Sequence, residues 1–191
     1  MLDTKQKIIN HAIELYSKHG IHWVGFQQIA EKVGISQPAI YKHFSDKDDL
    51  LKNCIEHVFD TDRHYIDEKV SKFKEPSKQL KAYLTANIEL SYKRRSHNAI
   101  ILSMIYFSIN SRSILDLYTT TTEQGINRIK SLLQNGKEQK IWKLKDPNLT
   151  ARNIHNLLVG ESIKATLNPA ELDIESRIKV LIEATEEWIK A

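Results

Sequence analysis

The sequence predicts an all-α protein of about nine helices, because three independent signals point the same way. Gly and Pro, the strongest breakers of regular structure, number only 6 and 4 in 191 residues, and long stretches contain neither. Apolar residues recur at spacings of three and four, the period of a helix with one buried face rather than of a strand. Hydroxyl or acidic residues precede several of these stretches and glycine follows the first two, which are helix start and stop signals.

The first segment places Ile8, Ile9, Ala12, Ile13 and Tyr16 on one face, with Thr4 as the expected N-cap and Gly20 as the stop. A second, short segment covers 26–33, with Phe26, Ile29, Ala30 and Val33 on one side and Gly34 closing it. A third begins near Ser36 and ends by Phe44, only about two turns. None of the three buries much alone, so they must pack on one another. In Ser45-Asp46-Lys47-Asp48 a hydroxyl followed three residues later by an acid reads as a capping box, and acids at 46, 48 and 49 suit the positive end of the helix dipole. The long fourth helix carries apolar residues at 51, 54, 55, 58, 59, 65, 66 and 70 and is expected to reach about Phe73, before Lys74-Glu75-Pro76. Further helices are expected at about 77–94, 97–109, 111–140, 147–167 and 173–190.

Composition excludes several classes of protein. A chain that is 41% hydrophobic and 27% charged is ordinary for a globular fold with a real core. Cys54 is the only cysteine, which rules out an intrachain disulfide or a Cys-rich zinc site and fits a reducing interior. It sits on the inner stripe of the fourth helix, where it reads as a small core hydrophobe. The stretch Met1-Leu2-Asp3-Thr4-Lys5 lacks an apolar signal core, and no apolar run approaches the roughly 20 residues of a membrane span, so a soluble, cytoplasmic protein without a membrane partner is expected. Among the eight histidines, His57 and His64 stand seven apart with no third ligand at a convincing spacing, so neither a metal nor a cofactor is expected. Lys93-Arg94-Arg95 suits the end of a helix, where the dipole favours cations. No Gly-rich phosphate loop, HExxH or GxSxG is present, and an enzyme is not expected.

The second and third helices are joined by Val33-Gly34-Ile35-Ser36, a tight turn with glycine where a left-handed backbone is needed and an apolar residue to pin the corner. This is the helix-turn-helix pattern, whose second helix enters the DNA major groove. Ile40 and Phe44, four apart, face inward, which leaves Gln37, Ala39, Tyr41, Lys42 and His43 on the outer surface. Gln pairs with adenine, Ala touches a thymine methyl, and Lys, Tyr and His hold phosphates. Pro38 is harmless in the first turn, where backbone N–H groups lack helical partners.

Gly20, the run Phe26-Gln27-Gln28-Ile29-Ala30-Glu31-Lys32-Val33-Gly34-Ile35-Ser36, the run Ala39-Ile40-Tyr41-Lys42-His43-Phe44 and Lys47-Asp48-Asp49-Leu50-Leu51 fall together in the register of a known family. Over about residues 5–52 the chain resembles the TetR family of bacterial transcriptional regulators. The resemblance implies an N-terminal three-helix helix-turn-helix DNA-binding domain at 1–47, joined by the long fourth helix to a helical ligand-binding and dimerisation domain at 48–191. It implies base contacts from Gln27, Gln37 and Pro38 or Ala39, and phosphate contacts from Tyr41, Lys42, His43 and Lys47; Ser36, at the start of the reading helix, belongs to the same candidate set. One departure is visible: Gly25, beside Val24, stands where the family usually caps its second helix with threonine, so a hydroxyl contact to phosphate is lost. Glycine still serves as an N-cap at a cost of only a few tenths of a kcal/mol.

Beyond residue 60 no motif matches, and the size and helical pattern alone carry the expectation. Tyr83, Tyr92, Met104, Tyr106, Phe107, Tyr118 and Trp142 are core types individually, and together they have the make-up of an apolar cavity with hydroxyl handles for a small-molecule effector. Thr119 to Thr122 line that cavity or face solvent. The last helix carries a stripe of Ile174, Ile178, Leu181, Ile182, Thr185, Trp188 and Ile189, and the one before it a stripe of Ile154, Leu157, Leu158, Ser162 and Ala165, with Gly160 permitting close approach. Their family counterparts form a two-fold, four-helix homodimer interface. The expectation is therefore a homodimeric repressor of a palindromic double-stranded DNA operator, released by a small, largely apolar ligand. The alternative is a helical binding module of the same fold that acts through protein contacts.

The formal charge of +4 does not carry that expectation. Residues 1–50 hold 6 Lys and 6 acids, whereas the excess falls at 51–110, net +3, and at 111–191, net +1. DNA affinity must then rest on a few placed cations and on backbone dipoles, with about four to six phosphates neutralised per dimer and a log–log salt slope of about −4 to −5. Titrations from 50 to 300 mM salt measure it, and a slope near −10 would overturn the assignment.

Overall fold

The computed structural model describes residues 3–168 and 173–190, so Met1 and Leu2 of the N-terminal stretch lie outside the described residues. Among the described residues there are nine α-helices, one 3-10 turn and no strand. The helices are α1 (Thr4–His19), α2 (Phe26–Val33), α3 (Gln37–Ile40), α4 (Lys47–Val70), α5 (Pro76–Lys93), α6 (Arg95–Phe107), α7 (Arg112–Glu138), α8 (Pro147–Leu167) and α9 (Ile174–Lys190). The 3-10 turn, Ile21–Trp23, lies between α1 and α2. The all-α expectation holds, and most boundaries fall within two residues of those read from periodicity. Among the described residues no helix is long and apolar enough to cross a membrane.

Three local expectations are corrected. Helix α1 is capped by Asp3, whose side chain accepts the Gln6 N–H at 2.7 Å, rather than by Thr4. Helix α4 is capped by Asp46, whose Oδ1 accepts the Asp49 N–H at 2.8 Å, while the Asp49 carboxylate accepts the Ser45 N–H at 3.0 Å. The cap bond thus joins Asp46 and Asp49, one residue later than Ser45 and Asp48, and the Asp49 carboxylate reaches back past the cap residue to Ser45. Helix α4 also stops at Val70 rather than near Phe73, because the Phe73 N–H turns back to the Val70 carbonyl at 3.1 Å.

The chain packs as two compact units. One comprises Met1–Thr61 and Arg95–Tyr118, hence α1 to α3, the first part of α4, α6 and the start of α7. Its core holds Ile8, Ala12, Ile29, Ile40, Phe44, Leu50, Leu51, Ile55, Val58, Ile100 and Met104, with α1 packed on α2 and α6. Each fully buried Ile or Leu contributes about 1.5–3 kcal/mol, which is what holds helices this short together. Cys54 is a buried member of the same cluster, and burial pushes its thiol well above the usual cysteine range, as a structural hydrophobe requires.

The other unit comprises Asp62–Arg94 and Thr119–Ala191, in which α5 packs on α8 and α9. Ile66, Leu80, Tyr83, Leu84, Ile88, Ile129, Leu133, Trp142, Ile154, Leu181 and Ile189 are buried there. Glu161 of α8 is buried at 6% exposure and paired with Arg177 of α9 and with Lys164. Burial acts to raise its carboxyl, but the two cations outweigh that and hold it below the usual glutamate value. The apolar stripes of α8 and α9 face this core, so Ile154, Leu158, Leu181 and Thr185 are buried within the chain itself and are not surface available to a partner. Of the expected interface, Ser162, Ile178, Ile182 and Trp188 remain half-buried, while Leu149, Ile163, Leu167 and Val180 are the exposed apolar residues of these helices.

After α7 the backbone reverses through Lys140, whose φ of 59° is left-handed, and the Lys143 N–H reaches the Ile189 carbonyl at 3.2 Å. The reversal lays Trp142 against Gly136, where an added Cβ would fall inside the indole ring. Gly136→Ala is therefore expected to lower stability by about 2 kcal/mol through overpacking, although alanine is the better helix former. Urea denaturation of the full chain measures this, and an unchanged or raised midpoint would contradict the packing.

Candidate nucleic-acid interface

Helix α2 ends at Gly34, whose φ of 80° and ψ of 36° place it in the left-handed region. Its N–H bonds the Ala30 carbonyl at 2.9 Å and the Ile35 N–H bonds the same carbonyl at 3.0 Å, which satisfies the helix end. Val33 and Ile35 pack against the core on either side of the glycine, so the corner is pinned as the sequence predicts. Ser36 is extended, and its carbonyl accepts the Ala39 N–H at 2.9 Å to open α3.

Helix α3 is shorter than expected. It covers only Gln37–Ile40, after which the His43 and Phe44 N–H groups both bond the Ile40 carbonyl, at 2.9 and 3.0 Å, and residues 41–43 form a turn. The inward pair is as expected, with Ile40 at 0% and Phe44 at 1% exposure. Because these two anchors face the core, Ser36, Gln37, Pro38, Tyr41, Lys42 and His43 are exposed, with Ala39 half-buried. The Tyr41 ring meets Phe26 edge-on, with centroids 5.0 Å apart, which leaves the ring more than half exposed. On α2, Gln27 is exposed and its Nε2 donates to Glu31 at 3.1 Å. Gly25 caps α2 through its backbone alone, donating its N–H to Gln28 Oε1 at 2.7 Å.

Lys47 is half-buried in the first turn of α4, and its Nζ donates to the His22 carbonyl at 3.3 Å. Burial lowers its pKa, opposed by the charge of Asp48. The 3-10 turn that offers this carbonyl is braced by α6: the His22 ring lies 5.2 Å from the Phe107 ring and 6.2 Å, edge-on, from that of Tyr106. Two features escaped the sequence reading. Lys5 places its ammonium 5.5 Å from the Phe44 ring centre, adding a cation beside the reading turn, and Trp23 is 82% exposed. No motif marks either one; only the short turn between α1 and α2 brings Trp23 to the surface.

Of the six candidate ligand residues, four lie in the first unit and two in the second. Met104 is core in the first unit, Tyr118 packs against that core, and Tyr106 and Phe107 are engaged with His22. Tyr83 and Trp142 belong to the core of the second unit. Spacing along separate helices identified them as aromatic without saying which face each one occupies. The Lys93-Arg94-Arg95 run is structural in part, since Lys93 pairs with Glu89 at 3.1 Å and Arg94 with Asp62 at 2.9 Å.

Residues 8–54 match the family model described as bacterial regulatory proteins, tetR family. Residues 8–54 are a TetR-type segment. The sequence likeness lies at the N-terminus: a TetR-type relative, the HTH-type transcriptional regulator HbdR of Aromatoleum sp. (strain CIB), is 31% identical over 78 residues, which is 41% of this chain and 34% of that protein's own length. The fold likeness runs much further. A putative transcriptional regulator from Saccharomonospora viridis, solved in complex with choline, superposes with a TM-score of 0.85 over 98% of this chain and 97% of its own, at 19% identity. AibR, solved with isovaleryl coenzyme A and operator DNA, gives 0.75 over 95% and 97%, at 16% identity. The TetR-type reading head therefore depends first on its corner. An added Cβ at Gly34 meets nothing within 4 Å, so Gly34→Ala is expected to cost about 1–2 kcal/mol through backbone strain alone. Gly34→Asn, which tolerates the left-handed region, is expected to cost less; equal denaturation midpoints for all three chains would contradict the strain.

Proposed function

We propose that this chain is a TetR-family, sequence-specific DNA-binding transcriptional regulator acting as a homodimeric repressor, with residues 1–47 as the DNA-binding part and 48–191 as the regulatory part. The observation that carries the reading is the burial of Ile40 and Phe44, which turns Gln37, Pro38, Tyr41, Lys42 and His43 outward together on one short, anchored element. Gln27, Gln37, Pro38 and Ala39 are assigned to base edges, and Ser36, Tyr41, Lys42, His43 and Lys47 to phosphates. Lys5 joins the phosphate set, because its ammonium lies over Phe44 at the end of the reading turn.

One reading element of this size touches too few bases to specify a site, so two related by a dyad are required, spaced to match a palindrome. The exposed Leu149, Ile163, Leu167 and Val180, with half-buried Ser162, Ile178, Ile182 and Trp188, supply the apolar surface assigned to dimerisation. A small effector that favours one state releases the operator, and by linkage operator and effector weaken one another by the same factor. The complexes of the AibR and Saccharomonospora proteins, with isovaleryl coenzyme A and with choline, support an effector of metabolite size. A cytoplasmic location follows from the same reading.

Fluorescence anisotropy with the DNA upstream of its own gene tests the proposal. Gln37→Ala is expected to relax base preference by about 1–3 kcal/mol at one position, and Lys47→Ala to weaken all sequences alike and flatten the salt slope by about 1. Unchanged binding by Lys47→Ala would remove its phosphate role, and the absence of any saturable shift would favour action through protein contacts instead.

A further inference from the structure

In the unit containing α5 and α9, a cavity of about 330 Å³ opens between α5, α9 and the reversal after α7. Leu80, Leu84, Trp142, Ile182 and Ile189 make it apolar, Ile141 stands half-exposed at its edge, and Lys78 and Lys81 of α5 are exposed on its rim. Thr185 of α9 also lines it. That residue is 1% exposed, and among the described residues its Oγ1 has no hydrogen-bond partner, neither the carbonyl one turn back that helical threonines commonly use nor any side chain. An unmatched buried hydroxyl is destabilising, and a ligand oxygen that accepts from it recovers that cost. The rim on this side carries two ammonium groups, that of Lys78, paired with Glu75 at 2.9 Å, and that of Lys81, one helical turn further along α5. Glu186, the acid of the lining, is already engaged.

We infer that this cavity binds a small amphipathic organic acid, with its apolar body against Leu80, Leu84, Trp142 and Ile189, an oxygen accepting from Thr185 Oγ1 and its negative charge facing Lys78 and Lys81. The volume lies at the lower end of the range for metabolite sites, and an apolar wall with few placed polar groups is their usual make-up. None of the residues belongs to the DNA-reading set, so the site stands whether or not the chain binds an operator.

Isothermal titration of the full chain with decanoate, against decan-1-ol as the uncharged control, tests the inference. Decanoate is expected to bind saturably at one site per chain and more tightly than the alcohol. Thr185→Val, nearly equal in shape, is expected to weaken decanoate about fivefold while leaving the thermal midpoint unchanged or raised, since it removes an orphan polar group. The double variant Lys78→Gln/Lys81→Gln is expected to weaken decanoate about tenfold and decan-1-ol hardly at all. Decanoate that fails to saturate a cooperatively folded chain, or that binds either variant as it binds the unsubstituted chain, overturns the assignment.

Discussion

The reading head depends on the burial of Ile40 and Phe44, at 0% and 1% exposure. Helix α3 spans four residues, and a single helical turn has no stability of its own because nucleation fixes several dihedrals for one hydrogen bond. It exists because both ends are held from outside. Gly34 and Ile35 fix the entry, and at the exit the His43 and Phe44 N–H groups converge on the Ile40 carbonyl as Phe44 enters the core. The polar residues between these anchors have no choice of face. Rigidity without length is what groove recognition needs, since a loose element would spend its binding energy on being ordered.

The anchors were legible in the sequence because they follow from spacing and from glycine chemistry. Residues four apart share a helix face, and a glycine after a periodic segment marks a turn with positive φ, so the pattern of residues alone points to Ile40, Phe44, Gly20 and Gly34. Cap positions were missed by one residue for a physical reason. Ser45 and Asp46 are adjacent residues of similar capping strength, between which the backbone path selects, and at α1 the stronger cap, Asp3, prevails over the adjacent Thr4. The length of α3 was overestimated because Tyr41, Lys42 and His43 all tolerate helix; the turn there is imposed by where Phe44 must go. Trp23 and Lys5 were missed for the opposite reason, since exposure and a through-space cation–ring approach leave no periodic trace.

Periodicity also reports that a face is buried without naming what buries it. The stripes of α8 and α9 were read as surface for a second copy, yet Ile154, Leu158, Leu181 and Thr185 are buried within the chain's own core. The same helices carry the buried Glu161 with Arg177 and Lys164, where loss of one cation would leave a carboxylate without full compensation. This pairing ties α8 to α9 at a fixed place and leaves less of either helix for a partner. The aromatic set shows the same thing, because Tyr83 and Trp142 are walls of one core while Met104 is a wall of another.

Under the proposed function, Lys47 accounts for how a segment with no net charge holds a polyanion. Six lysines are offset by six acids over residues 1–50, so attraction at long range is weak and local placement decides. Lys47 is half-buried, its pKa is lowered by that burial, and its ammonium rests on the neutral His22 carbonyl. Exchange of that carbonyl for a phosphate oxygen replaces a dipole with a full charge. The desolvation of the lysine is met during folding rather than at the moment of binding. The acids 46, 48 and 49 that offset it in the charge count stabilise the helix start that holds it.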